Sequence, residues 1–261
     1  MGYHGRHIEK GAGPAVVLSH GTLMDATMFD LQLEHLAERG YRAIAYNSRV
    51  LTGEPAAHSL GDLVEDCRAL LDDLGIETCV LAGMSVGGFM ALEFALAYPE
   101  RLRGLMVIAG TSKDYTPEER EAYHREFDKL GVDGMVPRDF AEWVAPFCFG
   151  ETTLERNPAL VEHWVDRWAT TVPARAVLYQ GRSWLDKADI TGRLVAVHVP
   201  ALVIHGEEDV PLPIERAQAM AEALPDATFA RVAHAGHSVN LEQPAVVNAA
   251  IARFLGRLDL S

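Results

Sequence analysis

Apolar and polar positions along this chain recur with two periods. Short apolar runs at 15–19, 41–46, 79–82 and 105–108 read as buried strands. Between them, 28–39, 60–74 and 86–98 carry apolar residues three and four apart, the spacing of one-sided helices, and Gly40, Gly75 and Pro99 stand where those helices should stop. The alternation resumes with a strand at 201–204, a helix at 214–224, a strand at 228–232 and a helix at 244–255. Strands that are apolar throughout are buried on both faces. Strand–helix–strand repetition therefore predicts an α/β fold, with a mostly parallel sheet covered by helices on both faces and right-handed crossovers.

Residues 111–193 interrupt this pattern. Thr116-Pro117-Glu118-Glu119 combines an N-cap, a proline at the first helical position and a capping-box glutamate, and Gly131 closes that helix. Asn157-Pro158 opens another, while 138–147 and 185–194 have helical spacing and no strand is expected. The reading is an α/β core of 1–110 and 194–261 bearing a helical cap at 111–193, the whole folding as one unit.

Charge and ends narrow the function. The net charge of −14 splits into −4 for the cap and −10 for the core, an even acidic surface that argues against nucleic acid and anionic membranes as partners. The first ten residues hold no apolar stretch of signal-peptide length, and no apolar run approaches the roughly 20 residues of a membrane span. Cys67, Cys79 and Cys148 are odd in number and widely spaced, as free buried thiols would be, which fits a reducing, cytoplasmic setting.

The chemistry centres on Gly83-Met84-Ser85-Val86-Gly87, a Gly-x-Ser-x-Gly sequence between a strand and a helix. A serine at such a turn is exposed on a strained backbone, beside helix N–H groups able to face an oxyanion. It needs a base, and the base needs an orienting acid. Glu207, Glu208 and Asp209 follow the 201–204 strand and His237 follows the 228–232 strand, all at the carboxyl edge where open parallel sheets collect their sites. Asp114, beyond the 105–108 strand, is a further candidate acid. His198 and His205 flank a buried strand and read as core or edge histidines. His234 lies three residues before His237 on a loop, and no carboxylate pair completes a metal-ligand set.

Four stretches resemble the α/β-hydrolase superfamily: His20-Gly21-Thr22 after a strand, the turn around Ser85, Gly206-x-x-Asp209-x-x-x-Pro213, and Gly236-His237 with Glu242 and Pro244 behind it. The likeness covers nearly the whole chain and is greatest to compact, cofactor-free esterases and lactonases with a short helical cap, including the enol-lactone hydrolases. It implies Ser85 as nucleophile, His237 as general base then acid, and Asp209 as the orienting carboxylate. It also implies an oxyanion hole from the backbone N–H of Val86 and Thr22, with Leu23 the second choice, and a structural His20 bracing that loop. One departure stands out. The family's Asp-x-Arg-Gly-x-Gly turn reads Asn47-Ser48-Arg49-Val50-Leu51-Thr52-Gly53 here, so that loop should take another path.

All four tryptophans lie in the cap. Large side chains give a small cap its own core, and some could line an apolar pocket over Ser85. Leu23, Met84, Trp143, Phe147 and Trp164 are the residues expected there. The expected activity is hydrolysis of a neutral, partly hydrophobic carboxylic ester or lactone, without cofactor or metal. The alternatives are a carbon–carbon bond hydrolase acting on a vinylogous diketone, in which a tryptophan commonly follows the histidine where Ser238 stands here, and a triad-bearing small-molecule receptor with slow turnover.

Overall fold

The computed structural model describes residues 7–53 and 55–260. The first six residues, part of the segment read above for a signal peptide, lie outside them. Among the described residues the chain runs β1 (His7–Lys10), β2 (Ala15–Ser19), α1 (Asp30–Ala37), β3 (Arg42–Tyr46), α2 (Arg49–Thr52), α3 (Leu60–Asp73), β4 (Cys79–Met84), α4 (Val86–Ala97) and β5 (Leu102–Ile108). Five helices follow: α5 (Pro117–Asp128), α6 (Arg138–Cys148), α7 (Glu151–Arg156), α8 (Pro158–Thr171) and α9 (Ala174–Leu185). Then come β6 (Ala201–Gly206), α10 (Ile214–Ala223), β7 (Ala227–Val232), α11 (Val239–Glu242) and α12 (Pro244–Leu255). The strands form one sheet in the order β1-β3-β2-β4-β5-β6-β7, parallel except for β1. β2, β4, β5 and β6 are its buried centre, and β4 and β6 are buried at every position. α4 is apolar nearly all round because it is enclosed, with nine of its residues buried.

Several elements depart from the sequence expectation, and α2, α7 and α11, each of one or two turns, are among those it did not include. β1 was not foreseen, because His7-Ile8-Glu9-Lys10 is a charged, half-exposed edge strand held by antiparallel pairing to β3. The expected helix 28–39 is shorter and begins as a 3₁₀ turn over Ala26–Phe29, capped by Asp25, whose carboxylate accepts from the Thr27 N–H at 2.9 Å. The helix expected over 185–194 is not there: α9 ends at Leu185, and only a 3₁₀ segment, Thr191–Ala196, follows. α9 itself escaped notice because its buried side includes Gln180, Gly181 and Ser183, which break the apolar period. Gly181 is required by packing, since a Cβ there would lie 2.4 Å from the Phe127 ring.

No helix among the described residues is long and apolar enough to cross a membrane. All three cysteines are buried and free.

Candidate active site

β4 delivers Ser85 to the carboxyl edge of the sheet and α4 begins at the next residue. The serine sits at φ 53°, ψ −118°, a conformation unfavourable to a side chain, and is held there by its own N–H donating to Ile108 O at 2.9 Å. The turn closes only because its flanks lack side chains. A Cβ on Gly83 would lie 2.0 Å from Gly87 O, and one on Gly87 would lie 2.3 Å from Ser19 O. Gly21 lies beside the same turn, its Cβ position being 2.5 Å from Met84 Sδ and 3.3 Å from Ser85 Cβ. Among the described residues the Ser85 hydroxyl makes no hydrogen bond, to His237 or to any other group.

The loops after β6 and β7 bring Asp209 and His237 together. His237 Nδ1 lies 2.8 Å from Asp209 Oδ2, and Oδ1 of the same carboxylate accepts from the Leu212 N–H at 2.9 Å. The Asp209 side chain is fully buried and that of His237 is 12% exposed, so one ring edge remains reachable. The rival acids are engaged elsewhere. Glu207 pairs with Arg231 at 3.3 Å. Glu208 accepts from the Thr152 N–H at 2.8 Å and hydroxyl at 2.6 Å, and Asp114 is exposed.

The β2 loop is braced from behind. His20 is buried; its Nε2 accepts from the Ser48 N–H at 3.0 Å, which leaves Nδ1 to donate to Gly21 O at 2.8 Å. Burial pushes this imidazole below the ordinary histidine range, so it stays neutral in that tautomer. Leu23 takes a left-handed backbone at φ 69°. Among the described residues the N–H groups of Thr22, Leu23 and Val86 have no acceptor. The divergent loop after β3 makes its own fastenings: Asn47 Oδ1 accepts from the Ala26 N–H at 2.7 Å, and α2 places Arg49 on Asp66 through two bonds of 2.6 Å.

The aromatic residues between β5 and β6 fall in unlike surroundings. Trp143 and Phe147 are 43% and 39% exposed and pack against each other as tilted rings with centroids 5.2 Å apart, whereas Trp164 is buried beneath Arg167. The aromatic residue that meets the loop after β2 is Trp184, whose Nε1–H donates to Thr22 Oγ1 at 3.0 Å and whose ring packs edge-on to Phe89, Tyr123 and Phe127. A small cleft beside His20 and Gly21 is lined by Leu23, Met24, Val50, Val177 and Gln180 among others. Of the five residues expected in a pocket, Leu23 lines this cleft, and Met84, Trp143, Phe147 and Trp164 do not.

The cap is tied to both site loops. Ser238 N–H donates to Cys148 O at 2.9 Å, and Glu242 bridges the backbone N–H groups of Gly236 and Gly150 at 3.0 and 2.8 Å. Asp25, beyond the β2 loop, accepts from Arg167 Nε at 2.6 Å. These ties join residues far apart in sequence, and no local motif announces them. Among the described residues no group of three His, Cys, Asp or Glu side chains is arranged to hold a metal ion.

Known proteins share this fold. The thermophilic esterase of Thermogutta terrifontis superposes with a TM-score of 0.89 at 30% identity, over 97% of this chain and 93% of its own. The enol-lactonase of Burkholderia xenovorans LB400 shares the fold with a TM-score of 0.87 at 22% identity, over 97% and 96% of the two chains. A Variovorax paradoxus protein named "Putative carbamate hydrolase RutD" is 30% identical over 251 residues, 95% of this chain and 93% of its own. Residues 16–250 match the model of the alpha/beta hydrolase family. The chain belongs to the alpha/beta hydrolase family.

Proposed function

We propose that this hydrolase cleaves neutral, partly hydrophobic carboxylic esters or lactones by acyl transfer to Ser85. The observation that carries the reading is the Asp209–His237 hydrogen bond on the same sheet edge as a strained Ser85 whose hydroxyl is unpartnered. With Nδ1 engaged by Asp209, Nε2 of His237 is the nitrogen left to take the serine proton. Ser85 Oγ then bonds to the carbonyl carbon, and the tetrahedral oxyanion rests on the N–H groups of Val86 and Thr22. His237 returns the proton to the departing alcohol oxygen as the carbonyl reforms. Water repeats the sequence on the acyl-enzyme, releasing the acid and regenerating Ser85, while Asp209 steadies the imidazolium. No step calls for a cofactor or metal. Three buried free thiols support a reducing, cytoplasmic setting for this chemistry.

The 30% identical esterase supports an ester substrate. The name of the Variovorax relative favours a second reading, a carbamate, whose carbonyl would be attacked in the same way. Ser85→Ala tests the shared mechanism. The variant should fold as the wild type does and lose about 10⁶ in kcat, leaving p-nitrophenyl ester hydrolysis at background. Turnover retained by that variant overturns the assignment. Parallel assays with aryl esters, lactones of several ring sizes and aryl carbamates then rank the substrate classes.

A further inference from the structure

Asp209 is approached by a second imidazole that the acyl-transfer scheme does not use. His205, the next-to-last residue of β6, is fully buried, and its Nε2 lies 3.2 Å from Asp209 Oδ2, the same oxygen that meets His237. The same Nε2 is 2.7 Å from Leu212 O. A carbonyl oxygen can only accept, so Nε2 carries the proton and Nδ1 is bare. Nδ1 is buried and has no hydrogen-bond partner. Charging this ring would place a second N–H in a dry interior with nothing to receive it. Burial pushes His205 below the ordinary histidine range, against the pull of Asp209 and of Glu215 on α10, while His237 across the carboxylate acts in the same direction as burial.

A closed circuit results. Leu212 N–H holds Asp209 Oδ1, Leu212 O takes the His205 proton, and the nitrogen carrying that proton lies 3.2 Å from Oδ2. We infer that His205 is a positioning residue for the triad acid, a permanently neutral imidazole that fixes the rotation of the Asp209 carboxylate so that Oδ2 meets His237 Nδ1. Of the two imidazoles on that oxygen, one exchanges protons during turnover and the other cannot. A side chain that merely filled space would need no N–H at this point. The inference rests on the reading of Ser85, His237 and Asp209 as nucleophile, base and acid.

The test compares His205→Leu, which removes the donor, with His205→Gln, whose amide N–H can reach the position of Nε2. Three quantities are measured: kcat and KM on a p-nitrophenyl ester, the pH profile of kcat/KM, and the downfield proton resonance of the His237 Nδ1–H···Asp209 bond. For His205→Leu, kcat should fall about tenfold or more while KM stays within about threefold, since ester contacts are untouched. The acid limb of the profile should move to higher pH, because Oδ2 no longer has a polar N–H edge beside it and is left more wholly to His237, and the downfield resonance should shift. His205→Gln should return kcat to within about threefold of wild type. A folded His205→Leu variant with unchanged kcat and unchanged resonance overturns the inference, as does equal impairment of both variants. Should His205→Leu fail to fold, a folded His205→Gln variant impaired more than about tenfold overturns it as well. Ser85→Ala is assayed alongside. Wild-type turnover in that variant would sink the nucleophile assignment, while the resonance, which does not depend on turnover, still reports on His205.

Discussion

Gly87→Ala separates what the elbow does for stability from what it does for chemistry. The added methyl would lie 2.3 Å from Ser19 O and 2.9 Å from His20 O, against backbone that cannot swing aside as a side chain can. Restoring an ordinary contact requires α4 and the end of β2 to part by about 0.7–1.1 Å. Overpacking of this kind costs about 1–3 kcal/mol. At about 2.1 cal/mol/K per residue, 261 residues give an unfolding entropy near 0.5 kcal/mol/K, so Tm should fall by about 2–6 °C. The chemical effect is larger. Ser19 and His20 lead directly into Thr22, and Gly87 follows Val86, so the separation opens the gap between the two proposed oxyanion donors. A misplacement near 1 Å costs about 10²-fold in rate, and kcat should drop by about that factor in a protein that is still folded at 25 °C. Gly61→Ala is the control. Its nearest atom would be Ser59 Oγ at 3.5 Å, and a glycine replaced in the first turn of α3 should stabilise by about 0.4–1 kcal/mol without affecting turnover. Thermal unfolding by circular dichroism and p-nitrophenyl ester hydrolysis read the two effects. A Gly87→Ala protein with wild-type Tm and wild-type kcat would refute the reasoning.

Three further outcomes are expected. Burial alone would raise the Asp25 carboxyl, but hydrogen bonds from Arg167 and Thr27 outweigh it and hold the group below its ordinary value of 3.8. Its stabilisation is therefore complete above that value and lost as pH falls through the lower folded value, so Asp25→Asn should cost about 1–2 kcal/mol at neutral pH and flatten the acid side of a urea-unfolding series. Trp184→Phe keeps most ring contacts and removes the donor to Thr22 Oγ1; differential scanning calorimetry should show a loss of about 1 kcal/mol, with kcat reduced several-fold as the proposed oxyanion loop loosens. Burial pushes the Cys67 and Cys148 thiols up to about 12 and Cys79 well above its ordinary value. A chromogenic disulfide reagent should therefore find no reactive thiol in the native protein at mildly alkaline pH, and three after denaturation.

The parts legible in the sequence are those written in local pattern. Unbroken apolar runs located β2, β4 and β6 because strands buried on both faces have no polar alternation to obscure them. Thr116 and Glu119 announced the start of α5 and form the capping box their spacing requires. Gly-x-Ser-x-Gly marked a turn whose glycines are enforced by contacts of 2.0 and 2.3 Å. What escaped the sequence depends on tertiary neighbours. α9 hides its buried face behind Gln180 and Ser183, which are polar but enclosed, and the Gln180 carbonyl is satisfied by the Ser48 hydroxyl from a loop 132 residues earlier. Tryptophan content pointed to the cap without saying which ring meets the site, since Trp184 and Trp143 look alike until Thr22 is seen beside one and solvent beside the other. His205 read as an ordinary core histidine because nothing in its sequence setting reveals a bare buried Nδ1.

The meeting of Gly150 with Gly236 limits how this protein can be recombined. A Cβ on Gly150 would fall 2.7 Å from Gly236 N, and one on Gly236 would fall 2.4 Å from Gly150 N, while Glu242 holds both amides at once. The cap segment leaving α6 and the loop that carries His237 therefore form a single joint, although 86 residues separate its halves. A cap exchanged from another hydrolase would have to bring a glycine at the position of Gly150, or the loop under His237 would shift. Substitutions elsewhere between β5 and β6 leave this joint untouched, whereas a side chain at either glycine would force its two halves apart.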